Sequence, residues 1–269
     1  VNPHPATVPA PLSVALDGHV AVLTLSRPDA LNALSNELIG QLMDALDAFE
    51  LEERVRAVVV TGSGRAFSAG ADIKGFLPHM RVGPREAVAH FLRPGQKLTA
   101  RVEAFPKPVI AAVNGLAFGG GCELVEAMHI AVAGASAVFS KAEINIGIIP
   151  TFGGTQRLPR NVGRKAATEL ILTGRRFDAE EALRLGLVNR VVADEAVLPT
   201  AMAIACDIAS KPPLTVAAAL SAIHRGQDTS IERGLAIEEA SFAAIVSTQD
   251  ALEGVAAFVE KRAPHFIGR

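Results

Sequence analysis

The chain has 269 residues, 49% of them hydrophobic, enough to bury a full core in one large domain or in a main domain with a small appendage. Its 26 basic and 28 acidic side chains leave a net charge of −2, and Trp and Tyr are absent, which argues against a nucleic-acid surface built on positive field and aromatic stacking. Two cysteines without C-x-x-C spacing, and seven histidines without H-E-x-x-H or a Cys/His cluster, give a metal site no sequence support.

Prolines crowd residues 1–12 and predict a poorly ordered lead-in without the basic and apolar regions of a signal peptide. No run approaches the roughly 18 apolar residues of a membrane span. With so few cysteines, a cytoplasmic protein with no membrane partner is expected. Alternating apolar positions predict a strand from Val14 and another through Val20 to Leu25, joined by the turn signal Asp17-Gly18. Ser35 is placed to cap a helix carrying Leu38, Leu42, Leu46 and Phe49 along one face. Ala57 to Thr61 is a continuous apolar run of the kind that forms a buried strand.

That strand feeds a loop of small residues, Gly62 to Lys74. Its Gly-x-Gly opening lacks the third glycine of a dinucleotide fingerprint, since Phe67 stands there. Ala66-Phe67-Ser68-Ala69-Gly70 has the outline of a nucleophile elbow with Ala66 for its first glycine, but no later Asp and His complete a triad, so Ser68 is read as a small loop residue. Pro84 to Phe105 predicts a helix broken near Pro94-Gly95, a candidate flap over a site. Val109 to Val113 is another buried strand.

It leads into Asn114-Gly115-Leu116-Ala117-Phe118-Gly119-Gly120-Gly121-Cys122-Glu123, where three consecutive glycines end on a carboxylate. A helix starting there would aim free N–H groups and a positive dipole end at an electron-rich guest. A second acid, Glu143, follows a strand over His129 to Ala133 and sits among Ile144, Ile146, Ile148 and Ile149, which read as buried. A carboxylate in such company needs a reason. Gly153-Gly154 opens a helical region; Asp178-Ala179-Glu180-Glu181 has capping-box spacing, and Gly186 ends that helix. Val188 to Val192 is the last strand. From about Glu195 the pattern is helical only, which marks a boundary near Ala193 and divides the chain into 1–12, 13–193 and 194–269.

In this order the motifs resemble the enoyl-CoA hydratase/isomerase (crotonase) superfamily, most of all an enoyl-CoA hydratase. The resemblance rests on Arg27-Pro28 with Leu31-Asn32-Ala33-Leu34; Phe67 to Lys74; Lys107 to Gly115 with Gly119 to Glu123; Gly153-Gly154-Thr155-Gln156-Arg157-Leu158; and Phe258 to Arg262. It implies an α/β fold, a spiral of repeated ββα units followed by a helical region that builds homotrimers or homohexamers and covers the active site. The implied substrate is an acyl-CoA thioester, and no metal or other cofactor takes part. Carried over residue by residue, Ala71 and Gly120 supply the backbone N–H groups of an oxyanion hole, and Glu123 and Glu143 are the catalytic acids. Ala30, Leu31, Ala69, Ala71, Asp72, Ile73, Lys74, Gly119, Gly120, Phe152, Phe258 and Lys261 match substrate or CoA contacts, the last two reaching a neighbouring subunit's site.

Hydrating an enoyl thioester builds negative charge on the carbonyl oxygen, needs a base to activate water and an acid to protonate the α-carbon. Glu123, near a helix N-terminus, suits the base, and Glu143, among apolar residues, the acid. Cys122 reads as packing, with no cationic neighbour to activate it. Arg157 and Asp72 read as structural. Four residues depart from the family pattern: Asp29, His129 and the pair Thr151-Phe152, whose bulky Phe152 is expected to shorten or redirect the acyl pocket. Double-bond isomerisation and non-catalytic binding of CoA thioesters are the rival readings.

Overall fold

The computed structural model describes residues 10–269. Most of the expected lead-in therefore lies outside the described residues, and Leu12 already opens the first strand. β1 (Leu12–Asp17) pairs antiparallel with β2 (Val20–Leu25) across the anticipated turn. Ser35 accepts a hydrogen bond from the Leu38 N–H and starts α1 (Asn36–Leu51), which buries Leu38, Ile39, Leu42 and Leu46.

The chain then winds in ββα turns. The first holds β3 (Ala57–Gly62), β4 (Ala66–Ser68), α2 (Ile73–Val82), α3 (Pro84–Ala87), a π-helical turn over Val88–Leu92 and α4 (Arg93–Glu103). The second holds β5 (Val109–Val113), β6 (Leu116–Phe118) and α5 (Gly120–Ala127). In the third, β7 (Ile130–Gly134) and β8 (Val138–Ser140) lead to α6 (Gly154–Val162) and α7 (Arg164–Thr173). β9 (Arg176–Asp178), α8 (Ala179–Leu185) and β10 (Arg190–Val192) close the spiral. In each of these three turns the first strand joins a six-stranded sheet, β1-β2-β3-β5-β7-β10, and the second a four-stranded sheet, β4-β6-β8-β9. Stacking of successive turns makes the neighbours parallel, with β1 and β9 the antiparallel edges.

The strand β5 and the Ala57–Val60 stretch of β3 are apolar throughout because both faces of the large sheet are covered. One face carries the main core. On the other lies α9 (Val197–Ala209), whose Val197, Ala201, Ala205 and Ala209 recur at helical spacing and meet Val59, Ile110, Ala112 and Val132. The first helix beyond Ala193 thus packs on the sheet. The chain continues in α10 (Pro213–Gln227), α11 (Ile231–Ile245) and α12 (Gln249–Glu260); α10 and α11 bury no residue within the chain. No single helix among the described residues is long and apolar enough to cross a membrane.

Two local expectations are corrected. The Pro84–Phe105 segment does not break at Pro94-Gly95. It stays helical to Glu103, and the wide turn before Pro94, where the Arg93 N–H donates to Val88 O, accommodates the proline. Asn36 Nδ2 donates to His90 O at 3.0 Å, serving the carbonyl that Pro94, having no N–H, cannot. The capping box forms only by half: Asp178 accepts from the Glu181 N–H at 2.8 Å, whereas the Glu181 carboxylate is held by two bonds from Arg175.

Candidate active site

The loop after β4 and the start of α5 meet above the sheets. Leu34 bridges to Ala71 as one residue of parallel ladder, which fixes the Gly70-Ala71 peptide. Gly119 holds φ 50°, a conformation that L side chains rarely adopt, and a Cβ there would also sit 3.3 Å from Glu143 Oε1. Gly120 follows as the first residue of α5, and a Cβ on it would lie 3.3 Å from Ala71 N. Among the described residues neither the Ala71 nor the Gly120 N–H donates to a protein acceptor. Two free donors from two distant loops are therefore side by side.

Both acids face this point. Ala69, Ala71, Ile73, Gly119, Gly120, Glu123, Glu143 and Phe152 share one cavity of about 110 Å³ with Phe91, Ala142, Ile146, Ile148 and Thr151. Glu123, 1% exposed, accepts at Oε1 from the N–H groups of Phe152 (2.8 Å) and Gly154 (2.7 Å). Such bonds are strongest to an ionised carboxylate, and they orient the side chain while leaving Oε2 free of them. Glu143 sits on a 3-10 turn over Ala142–Ile146, and both its oxygens are buried without a protein partner. Burial first, with the nearby Glu123 charge, pushes its pKa up to about 7, against the pull of Lys141. The pair is asymmetric, as the sequence suggests.

The source of that burial differs from expectation. Ile146 and Ile149 are 57% and 60% exposed, while Ile148 packs partly buried against the core, so the isoleucine run encloses Glu143 only in part. Lys141 and Glu126 lie completely buried nearby as an ion pair, neither of them marked by motif or spacing. Lys141 is also the cationic neighbour that Cys122 was expected to lack. Burial nevertheless pushes the Cys122 thiol well up, and it remains a packing residue, its S–H directed at Glu126.

The other expected residues divide. Asp72 caps α2 through the Gly75 N–H and pairs with Arg27 at 3.0 Å, and Arg157 ties Phe152 O and Thr99 to Glu103. Ser68 donates to Asn32 O at 2.8 Å and is completely buried, which suits a loop clasp and leaves no room for a nucleophile. His129 accepts from the Val109 N–H and faces Glu103 O, bracing β5. Leu31 supports the loop by accepting from the Ala69 N–H. Ala30, Leu31, Lys74, Phe258 and Lys261 do not line the cavity, and Phe258 is 85% exposed. Phe91, from the expected flap, is a lining residue that no motif marked; its inward place in the π-helical turn is visible only in three dimensions.

A free pair of N–H donors beside two unlike carboxylates can stabilise an oxyanion while moving protons on either side of it. Residues 16–269 match the family model described as enoyl-CoA hydratase/isomerase. The chain belongs to the enoyl-CoA hydratase/isomerase family. It is 45% identical over 258 residues to a probable enoyl-CoA hydratase of Bacillus subtilis, covering 96% of this chain and 98% of that one. A crotonyl-CoA hydratase of Syntrophomonas wolfei is 43% identical, with 93% and 95% covered. An enoyl-CoA hydratase structure from Bacillus anthracis superposes with a TM-score of 0.90 at 40% identity over 96% of this chain and 100% of that one. The ββα spiral is thus the fold of this enzyme family.

Proposed function

We propose that the protein hydrates 2-trans-enoyl-CoA thioesters to 3-hydroxyacyl-CoA. In this reading the thioester oxygen accepts from the N–H groups of Ala71 and Gly120, each contributing about 3 to 4 kcal/mol of transition-state stabilisation. Glu123 removes a proton from water as its oxygen bonds to C3. The electron pair of the double bond moves through C2 to the thioester oxygen, and the resulting enolate collapses as Glu143 gives its proton to C2. The observation that carries the reading is the unlike pair: Glu123 held by two main-chain N–H groups, Glu143 buried and unpartnered with a pKa of about 7. Isomerisation can run with one acid, and a mere binder needs none, so the rivals leave one or both carboxylates buried without purpose.

The two acids and two donors account for every charge and proton in the step, so the proposal includes no cofactor beyond the CoA of the substrate. Ala30, Leu31, Asp72, Ile73 and Lys74 lie along the path we assign to CoA at the cavity mouth, and Phe258 and Lys261 are assigned to a neighbouring subunit's site. A homotrimer, or a pair of trimers, is supported by the exposed apolar residues of the last helices, among them Ile223, Ile231, Phe242, Val255 and Phe258. We place the division between the spiral core and these helices after Ala209, because α9 packs with the sheet. Two free thiols fit a reducing cytoplasm.

Incubation with crotonyl-CoA should give a product heavier by one water, with loss of the conjugated-thioester absorbance. Glu123→Gln and Glu143→Gln should each lower kcat by about 10²- to 10⁴-fold. Conversion of 3-enoyl-CoA without change of mass, surviving in one of the two variants, would instead establish isomerisation.

A further inference from the structure

Outside the cavity, one cluster gathers nitrogen and oxygen donors from two helical segments. Glu86 on α3 and His90 in the π-helical turn are four residues apart and share a helix face. The reversal at Gly83 folds α2 back so that His79 meets both. Glu86 Oε2 lies 3.2 Å from His90 Nε2 and 3.8 Å from His79 Nδ1, and the two imidazoles stack with centroids 4.7 Å apart. All three ligand atoms fall within 4.8 Å of one another. No motif spacing announces them, because His79 comes from a separate helix.

We propose that His79, Glu86 and His90 form a binding site for a divalent transition-metal ion of the zinc class, clamping α2 to the π-helical turn. Two imidazoles and one carboxylate make a donor set that suits Zn²⁺ and its neighbours and disfavours Mg²⁺ and Ca²⁺, which take oxygen ligands. Bonds of 2.0–2.1 Å in tetrahedral geometry set ligand atoms about 3.3 Å apart, close to the observed separations, and binding turns the two imidazoles out of their 19° stack so that their in-plane lone pairs converge on the ion. The side chains are 32%, 44% and 51% exposed for His79, Glu86 and His90, so the ion enters from solvent and water completes its coordination.

The place of the cluster gives the clamp a purpose. On the inner side of the same two segments, Phe76 and Phe91 stack 3.7 Å apart, and Phe91 leans on Phe152 with ring centroids at 5.5 Å. Phe91 and Phe152 line the cavity that holds the two acids. An ion at His79, Glu86 and His90 therefore fastens the outer side of the cavity's roof. It stands apart from Glu123 and Glu143 and takes no part in the reaction, so the inference holds whatever substrate the cavity accepts.

The test uses full-length protein freed of metal with a chelator and titrated calorimetrically with Zn²⁺. One ion should bind per chain, and Co²⁺ should give the visible absorption of a nitrogen-ligated site. His79→Ala and His90→Ala, checked for folding by far-UV circular dichroism, should weaken Zn²⁺ by at least about tenfold, the lower bound for losing even an outer partner of a metal site. Zn²⁺ should also slow amide hydrogen exchange over Ala87 to Phe91 in the unmodified protein and not in His90→Gln, a milder replacement. Absence of binding at millimolar Zn²⁺ would overturn the site, as would equal affinity and equal Co²⁺ spectra in both alanine variants.

Discussion

Lys141 Nζ lies 2.7 Å from Glu126 Oε1 with both side chains wholly inaccessible, so a full ion pair is enclosed beside the two site acids. The partners respond differently. Burial opposes the ammonium, yet the surrounding acids, Glu126 foremost, outweigh it and hold the Lys141 pKa above its ordinary value; for Glu126 burial pushes the pKa up and Lys141 pulls it back. Contact at this distance with an ammonium that stays charged makes the pair ionic. Removing one member strands the other: Lys141→Met should destabilise by about 3 to 5 kcal/mol, while Lys141→Met with Glu126→Leu should recover most of that loss. Thermal melts at fixed protein concentration read the difference. A double variant no more stable than the single one would refute the pairing.

Glu143 makes stability depend on pH in the direction opposite to most carboxylates. Its folded pKa of about 7 lies above the ordinary 4.5, so between these values the folded chain holds a proton that the unfolded chain releases. Stability contributed by this group is present below pH 4.5 and is lost as pH rises through about 7. Glu143→Gln should therefore raise the melting temperature at pH 8 and give little gain at pH 5, with about 1 to 3 kcal/mol separating the two conditions. The same proton should shape the kinetics, kcat/KM falling above about pH 7. A variant less stable than the parent at pH 8 would show that the carboxylate is not strained there.

The parts of this site that were legible in sequence are those where backbone does the work. Small residues at Ala69 to Ala71 and Gly119 to Gly121 announce close approach, because any larger side chain would block it. The strands were legible for a similar reason: Val58 to Val60 and Val109 to Val113 are apolar on both faces. The helix over Val197–Ala209 was legible as a helix, but its packing on the sheet through Val197, Ala201, Ala205 and Ala209 was not. What stayed hidden depends on contacts between distant turns. Lys141 and Glu126 each look like ordinary surface charges, and only the fold, which brings the residue after β8 and the start of α6 against α5, encloses them. The Ile144–Ile149 run, apolar in sequence, instead stands largely at the surface. Pro94 signalled a break that the preceding π-helical turn and Asn36 absorb.

Asn32 pins the loop that leads to Ala71. It holds φ 55°, is 0% exposed, accepts from the Arg27 N–H at 2.9 Å, and donates to Ser63 O and Ala66 O at 2.9 and 2.8 Å. Asn32→Ala loses these bonds and the tolerance of asparagine for a left-handed backbone, at an expected cost of about 2 to 4 kcal/mol. Asn32→Gly keeps the backbone freedom and loses only the bonds. If the side chain positions Ala71, both variants should lower kcat more than they raise KM. A normal kcat in Asn32→Gly would confine the residue to stability.

We assign to Phe152 the end of the acyl space in the proposed reaction. Its ring, 1% exposed, lies between the 110 Å³ cavity of the two acids and a second cavity of about 270 Å³ bounded by Leu34, Phe76 and Phe91. Thr99 Oγ1 and Arg157 grip its carbonyl at 2.6 and 3.1 Å, and its N–H is committed to Glu123, so the turn stays put when the ring is cut away. Phe152→Ala should join the two spaces and raise the ratio of long-chain to crotonyl-CoA activity by at least about tenfold, at about 3 to 5 kcal/mol of stability. The ring's place is prepared by Gly95 on α4, where a Cβ would lie 2.0 Å from Phe152 Cδ1. Gly95→Ala should therefore be severely destabilising alone and much milder in the Phe152→Ala background, a coupling that a double-mutant cycle measures. Additive effects together with an unchanged chain-length profile would mean that the end wall is built by other residues.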